Sequence, residues 1–146
     1  AVQTTESGEA ELVCLAQVPF TNEAMTDFVN KSLVRPLTVV SDGLACFTVT
    51  AKAGVHERIV VSAGDPSAAY ARFNAVSTAQ SNLKTAISGA YHSIKFAKYA
   101  HRYLAEFQYR FNRRFNMRTI FERLARVASG SSPINRMLIR AAEVGC

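Results

Sequence analysis

The sequence predicts an α/β fold, with a central mixed sheet of about three to four strands followed by a helical C-terminal half. Three observations lead there. Up to about residue 70, short apolar or β-branched runs bounded by Pro or Gly alternate with segments of helical spacing, which is the pattern of parallel strands joined by helices. Beyond residue 70 the apolar positions recur at intervals of three and four, the rhythm of amphipathic helices. The chain has 146 residues, 49% of them hydrophobic and 19% charged, which is enough to bury one core and too apolar for a disordered chain.

Taken in order, Glu11–Val18 is a near-continuous apolar run closed by Pro19, as expected of a buried strand. Thr21 offers an N-cap to a helix carrying Ala24, Phe28, Val29 and Leu33, with Pro36 beyond its end. Leu37–Val40 is a second buried strand, bounded by Ser41-Asp42-Gly43. A short helix is expected over 44–53; Gly54 then punctuates, and Arg58–Val61 is expected as a third strand. Residues 68–87 form a helix with Tyr70, Phe73, Val76, Ala79, Leu83 and Ile87 at helical spacing, stopped by Ser88-Gly89. A helix over about 95–114 carries Tyr99, Tyr103, Phe107 and Phe111. A last helix over 117–128 precedes the Ser129–Pro133 loop and a short helical tail.

The net charge is +6, but it is unevenly spread. Residues 1–73 hold 5 Lys or Arg against 8 Asp or Glu, a balance of −3, whereas residues 74–146 hold 12 against 3, a balance of +9. A basic half of that size fits a polyanion partner, nucleic acid first, or a solvated helical face. No apolar run approaches the ~20 residues of a membrane span, so no membrane partner is expected. Ala1–Glu6 shows no leader pattern, and the absent initiator Met marks a processed chain or a fragment. Cys14, Cys46 and Cys146 lack metal-ligand spacing and read as reduced thiols of a cytoplasmic protein.

Chemistry in parallel sheets gathers at the carboxyl ends of strands. Asp42 stands there, before a Gly that lets the chain turn. It fits two roles, ligand of a divalent metal or cap of the helix beginning near Leu44. On the helix over 68–87, Ser77 and Lys84 are seven residues apart and share a face, with Asn74 and Ser81 on or near that side and Asn82 offset. An oxygen ligand and a cation so placed would share one groove; these residue types equally make a solvated face.

Several strings in this order resemble a known family. They are Ser41-Asp42-Gly43-Leu44, Phe73–Thr78, Asn82-Leu83-Lys84, Gly89-Ala90-Tyr91-His92 and Arg102–Arg114. Together, over about residues 10–128, they resemble the catalytic domain of bacterial insertion-sequence transposases of the DDE type. The closer likeness is to the branch whose third catalytic position is often Asn, followed seven residues later by Lys. The resemblance implies a ribonuclease H-like fold and two Mg²⁺ (or Mn²⁺) ions that activate water, then a DNA 3′-hydroxyl, for attack on phosphodiesters. It implies DNA as partner, both transposon ends and target, and a place at the bacterial nucleoid.

Carried onto this sequence, the resemblance makes Asp42 the second catalytic Asp and a metal ligand, and Lys84 the lysine that contacts DNA near the active site. Ser77 occupies the third catalytic and metal position, where the family pattern has Asn; Asn74 and Asn82 are substitute ligands out of phase. His92, Arg110, Asn112, Arg113 and Arg114 match motif positions with a DNA-holding role. Tyr99, Tyr103, Phe107 and Phe111 are expected mostly in the core rather than stacked on bases. No Asp precedes Asp27, which falls within a helix, so the first catalytic Asp and its strand are missing.

The expectation is therefore a partial ribonuclease H-like domain over 1–128, lacking its first strand, with a loop and helical tail over 129–146. Such a fragment would take part in DNA transposition with little or no strand-transfer activity, and its unpaired sheet edge predicts a homodimer or aggregation. The alternatives are a non-catalytic DNA-binding protein using the basic half, and an interaction domain with no nucleic-acid role.

Overall fold

The structure is a computed structural model that describes residues 1–60, 67–90 and 96–141. It is mixed α/β and forms two compact units, Ala1–Lys84 and Thr85–Cys146, each taken by itself below.

The first unit opens with an antiparallel hairpin of β1 (Val2–Thr4) and β2 (Ala10–Val13). The strand expected over 11–18 thus ends at Val13, and its partner is the beginning of the chain. Only Val13 of this strand is buried, at 2% exposure, while Leu12 is 39% exposed. The run had the apolar density of a doubly covered strand but occupies a two-stranded edge instead. Helix α1 (Asn22–Ser32) starts as expected, with Thr21 Oγ1 accepting the Ala24 N–H at 3.2 Å. Glu23 in its first turn and Lys31 in its last complement the helix dipole. Met25 and Val29, one turn apart, are its buried pair.

Strands β3 (Leu37–Ser41) and β4 (Gly54–Arg58) pair in parallel, in the register Leu37↔Gly54 to Ser41↔Arg58. A 3₁₀ helix, η1 (Ala45–Lys52), fills the crossover and buries Cys46 and Thr50. Phe47 of η1 meets Phe20 edge to face, with centroids 6.3 Å apart.

The third strand therefore begins at Gly54 rather than Arg58; Val61 of the expected strand lies outside the described residues. Gly54 is where the strand starts because a Cβ there would stand 1.9 Å from Leu37 O. Only glycine allows this approach of the two backbones. Among the described residues, the expected sheet of three to four strands is two separate two-stranded pairs.

Helix α2 (Ser67–Ala90) runs through Ser88-Gly89, which does not stop it. A Cβ at Gly89 would meet nothing within 4 Å, so glycine there carries a helix-propensity penalty without a packing reason. Among the described residues, Ala75 and Ala79 are its buried positions in the first unit.

In the second unit, α3 (Phe96–Phe111) buries Ala100, Phe107 and Phe111 along one stripe, with the two phenyl rings 5.8 Å apart. Its helical hydrogen bonding gives way to turns at Asn112–Phe115, short of the expected end at Arg114. Helix α4 (Arg118–Gly130) absorbs Ser129-Gly130 of the expected loop, and α5 (Arg136–Ala141) is the helical tail. The apolar side of α4 is open, with Phe121 81% exposed alongside Leu124 and Val127. Among the described residues, no helix is long and apolar enough to cross a membrane.

Candidate functional site

The carboxyl end of the β3–β4 pair is closed by three interactions. The Ile59 N–H donates to Ser41 O at 2.9 Å, continuing the ladder. Ser41, buried, shares a 2.8 Å hydrogen bond with Nε2 of His56, two residues back from its register partner. Gly43 has φ +90°, and a Cβ on it would stand 2.7 Å from Arg58 Nε and 2.9 Å from Val60 Cγ2. The Arg58 side chain thus packs on the backbone of the turn that carries Asp42.

Asp42 is exposed in that turn, and its Oδ1 accepts the Leu44 N–H at 3.2 Å. A side-chain acceptor bonding the backbone two residues on is the Asx arrangement that fixes a turn. It lies two residues upstream of the position where a cap of η1 would sit, since Leu44 is the N-cap residue and has no side-chain cap.

On α2, Asn74, Ser77, Ser81 and Lys84 are all exposed, on the side opposite buried Ala75 and Ala79. Asn82 is exposed too, but lies about 140° around the helix from Ser77 at ~100° per residue. Arg72, nearer the start of α2, forms an ion pair with Glu57 of β4. The sequence reading passed over both residues; the signal was a carboxylate in the last turns of a polar strand, His56-Glu57-Arg58.

Among the described residues, no hydrogen bond or ion pair joins Asp42 to Ser77 or Lys84, and no group of three or more His, Cys, Asp or Glu could hold a metal ion. One carboxylate already bonded to a backbone N–H and one neutral hydroxyl on an exposed helix face do not fit a pair of Mg²⁺ ions. Such ions take near-octahedral oxygen sets with clustered carboxylates.

A second arrangement stands at the end of α3. Arg110 is ion-paired with Glu106 one turn back. The Arg113 guanidinium lies 4.0 Å from the Tyr109 ring centroid, and its Nη1 donates to Tyr109 O at 3.4 Å. Arg114 stands 3.9 Å from the Phe111 centroid and 4.2 Å from that of Phe115, with Nη1 donating to Phe111 O at 2.8 Å. The Asn112 N–H donates to Gln108 O at 3.0 Å.

Two guanidinium groups are thereby held over aromatic rings at a helix C-terminus, where cations are favoured. Arg113 Nε is buried with no hydrogen-bond partner. Of the four aromatic residues expected mostly in the core, Phe107 and Phe111 are buried, while Tyr99 and Tyr103 are half-buried. His92, with Tyr91 of the same motif, lies outside the described residues.

A family model described as the ISXO2-like transposase domain matches residues 1–112. The chain belongs to that family. It is an insertion-sequence transposase of the DDE type, and the matched stretch takes in the N-terminal hairpin as well as everything from α1 to the end of α3. In this transposase, Asp42, Ser77, Lys84, Arg110 and Asn112 fall within the match, whereas Arg113, Arg114, α4 and α5 lie beyond it. No curated protein and no solved structure matches the chain.

Proposed function

We propose that this chain serves DNA transposition by holding DNA on its basic helical half, as part of a ribonuclease H-like catalytic domain, and that by itself it does not join strands. The observation that carries the reading is the pair of ring-stacked arginines at the end of α3, Arg113 on Tyr109 and Arg114 between Phe111 and Phe115. Stacking fixes the plane of a guanidinium, the shape that suits phosphate oxygens. These two belong to a half of the sequence with a balance of +9. Lys84 adds a cation on the open side of α2. The parallel pair with an acidic residue just past its carboxyl end supports the ribonuclease H-like reading, with Asp42 as its second acidic position.

Strand joining lacks donors: the family's reaction takes three oxygen ligands, and here Asp42 is the single carboxylate at a motif position, with Ser77 at the third. The test is anisotropy of labelled duplex DNA across a salt series, run beside a Mn²⁺- or Mg²⁺-dependent nicking and strand-joining assay, with Asp42→Ala in both. Salt-sensitive binding that Asp42→Ala leaves unchanged, without joining, is expected. Joining that vanishes in Asp42→Ala refutes the donor argument; no binding at low salt removes the DNA-holding role.

A further inference from the structure

The second unit contains a cavity of about 300 Å³ between α3 and α5, lined by Tyr99, Arg102, Tyr103, Ile139 and Arg140. Its composition is unlike a core. Two tyrosines and one isoleucine supply flat apolar walls, two arginines supply positive charge, and no carboxylate lines it. Neither arginine has an ion-pair partner among the described residues. Tyr99 is built into the wall, since its hydroxyl donates to Arg140 O at 3.1 Å and so ties α5 to α3. Lys98 Nζ stands 5.4 Å from the Tyr99 ring centroid, a further cation beside that ring. The family match takes in Tyr99, Arg102 and Tyr103 but ends before α5, which supplies Ile139 and Arg140.

We infer that this cavity binds one nucleotide of an unpaired DNA strand, its base against the tyrosine rings and its phosphate on Arg102 and Arg140. Ring faces and guanidinium groups together select a ligand that is aromatic and anionic. The volume is at the lower limit for small-ligand pockets, on the scale of a single nucleotide. In a duplex the bases are stacked and paired, so only an unpaired strand presents a base face to a tyrosine. The inference rests on the reading that DNA is this chain's partner, and it adds a base-reading element to a surface otherwise limited to phosphates.

The test uses the whole chain with a short oligothymidylate, an abasic strand of the same length, and a duplex, at one salt concentration. The chain has no tryptophan, so quenching of tyrosine emission reports stacking directly. The oligothymidylate is expected to bind about tenfold more tightly than the abasic strand, as loss of one stacked base implies. Tyr103→Leu should abolish that preference and Arg102→Gln should weaken oligothymidylate binding several-fold, both with unchanged duplex binding. Arg102→Gln keeps the test informative if Tyr103→Leu unfolds.

Equal affinity for the two strands overturns the inference, as does a preference that survives Tyr103→Leu or an oligothymidylate affinity that Arg102→Gln leaves unchanged. Displacement of the strand by thymidine monophosphate at comparable concentration assigns the cavity to free nucleotides and overturns the strand assignment. Duplex binding without base preference defeats the cavity alone. No binding to any of the three defeats the DNA-holding reading along with it.

Discussion

Ser41 Oγ and His56 Nε2 lie 2.8 Å apart across the parallel strands, one residue before Asp42. The ladder sets which residues face each other, and this bond fixes the side chains at the point where the chain leaves the sheet. Ser41→Ala removes one partner of a part-buried pair and is expected to cost about 1 kcal/mol of stability. A double-mutant cycle with His56→Ala in urea melts should return a coupling of similar size; additive effects would mean that the bond holds nothing.

Gly54→Ala should be far more damaging than its chemistry suggests. The new Cβ would stand 1.9 Å from the Leu37 carbonyl oxygen, a backbone atom that moves only with its strand. The expected loss is about 2–3 kcal/mol, at the high end for single substitutions. Gly8→Ala is the control. It has φ +82° but open space around it, so only the left-handed conformation is penalised, at about 1 kcal/mol. Thermal melts of the two variants should separate accordingly.

Asp42 offers a contrast between shape and charge. Asp42→Asn keeps an oxygen for the Leu44 N–H, while Asp42→Ala removes it. The first should melt with the parent, and the second should lose up to about 1 kcal/mol. Adding Mg²⁺ should leave the melting temperature of parent and Asp42→Asn alike. A Mg²⁺-dependent rise in the parent that Asp42→Asn abolishes would show ligands gathered around Asp42 that the described residues do not supply.

Lys84 is exposed on α2, so Lys84→Gln should leave the fold unchanged and act on DNA alone. Each phosphate contact contributes about 0.9 to the slope of log affinity against log salt. The variant should therefore bind with a shallower slope by about that amount, uniformly across DNA sequences. An unaltered slope places Lys84 off the DNA.

Thr21→Ala should shorten or fray α1 by removing the acceptor of the Ala24 N–H, at about 1 kcal/mol. The loss is read as reduced helical circular dichroism and a lower melting temperature.

What was legible in the sequence was local. The start of α1 could be read because Thr21 announces it, and β3 because three successive β-branched residues, Thr38, Val39 and Val40, are bounded by a turn. The long helices follow from spacing alone. Strand β1 was missed because Val2-Gln3-Thr4 holds one apolar residue, and its partner β2 is set by a ladder and a Gln3–Glu11 bond that only the fold brings together. Strand β4 was displaced by four residues because Gly54 was taken for punctuation, when its missing side chain admits the neighbouring strand.

The candidate site divides in the same way. The seven-residue spacing of Ser77 and Lys84 was legible, since helix geometry is local. The Glu57–Arg72 pair and the Arg58 side chain on Gly43 were not, because each joins residues that only the fold brings together. The cavity of Tyr99, Arg102 and Arg140 is hidden for the same reason, its two walls being separated by the whole of α4.

The crossover between β3 and β4 has a consequence for how the domain forms. Parallel strands need about a dozen residues to return, and the segment from Asp42 through η1 is close to that minimum. Closing so short a loop sacrifices little chain entropy, so this pair can assemble early, before the helices that follow it emerge during synthesis. The turn bearing Asp42 is then settled while the basic half is still unmade, and a deletion within 42–53 would strike the order of events as well as the final geometry.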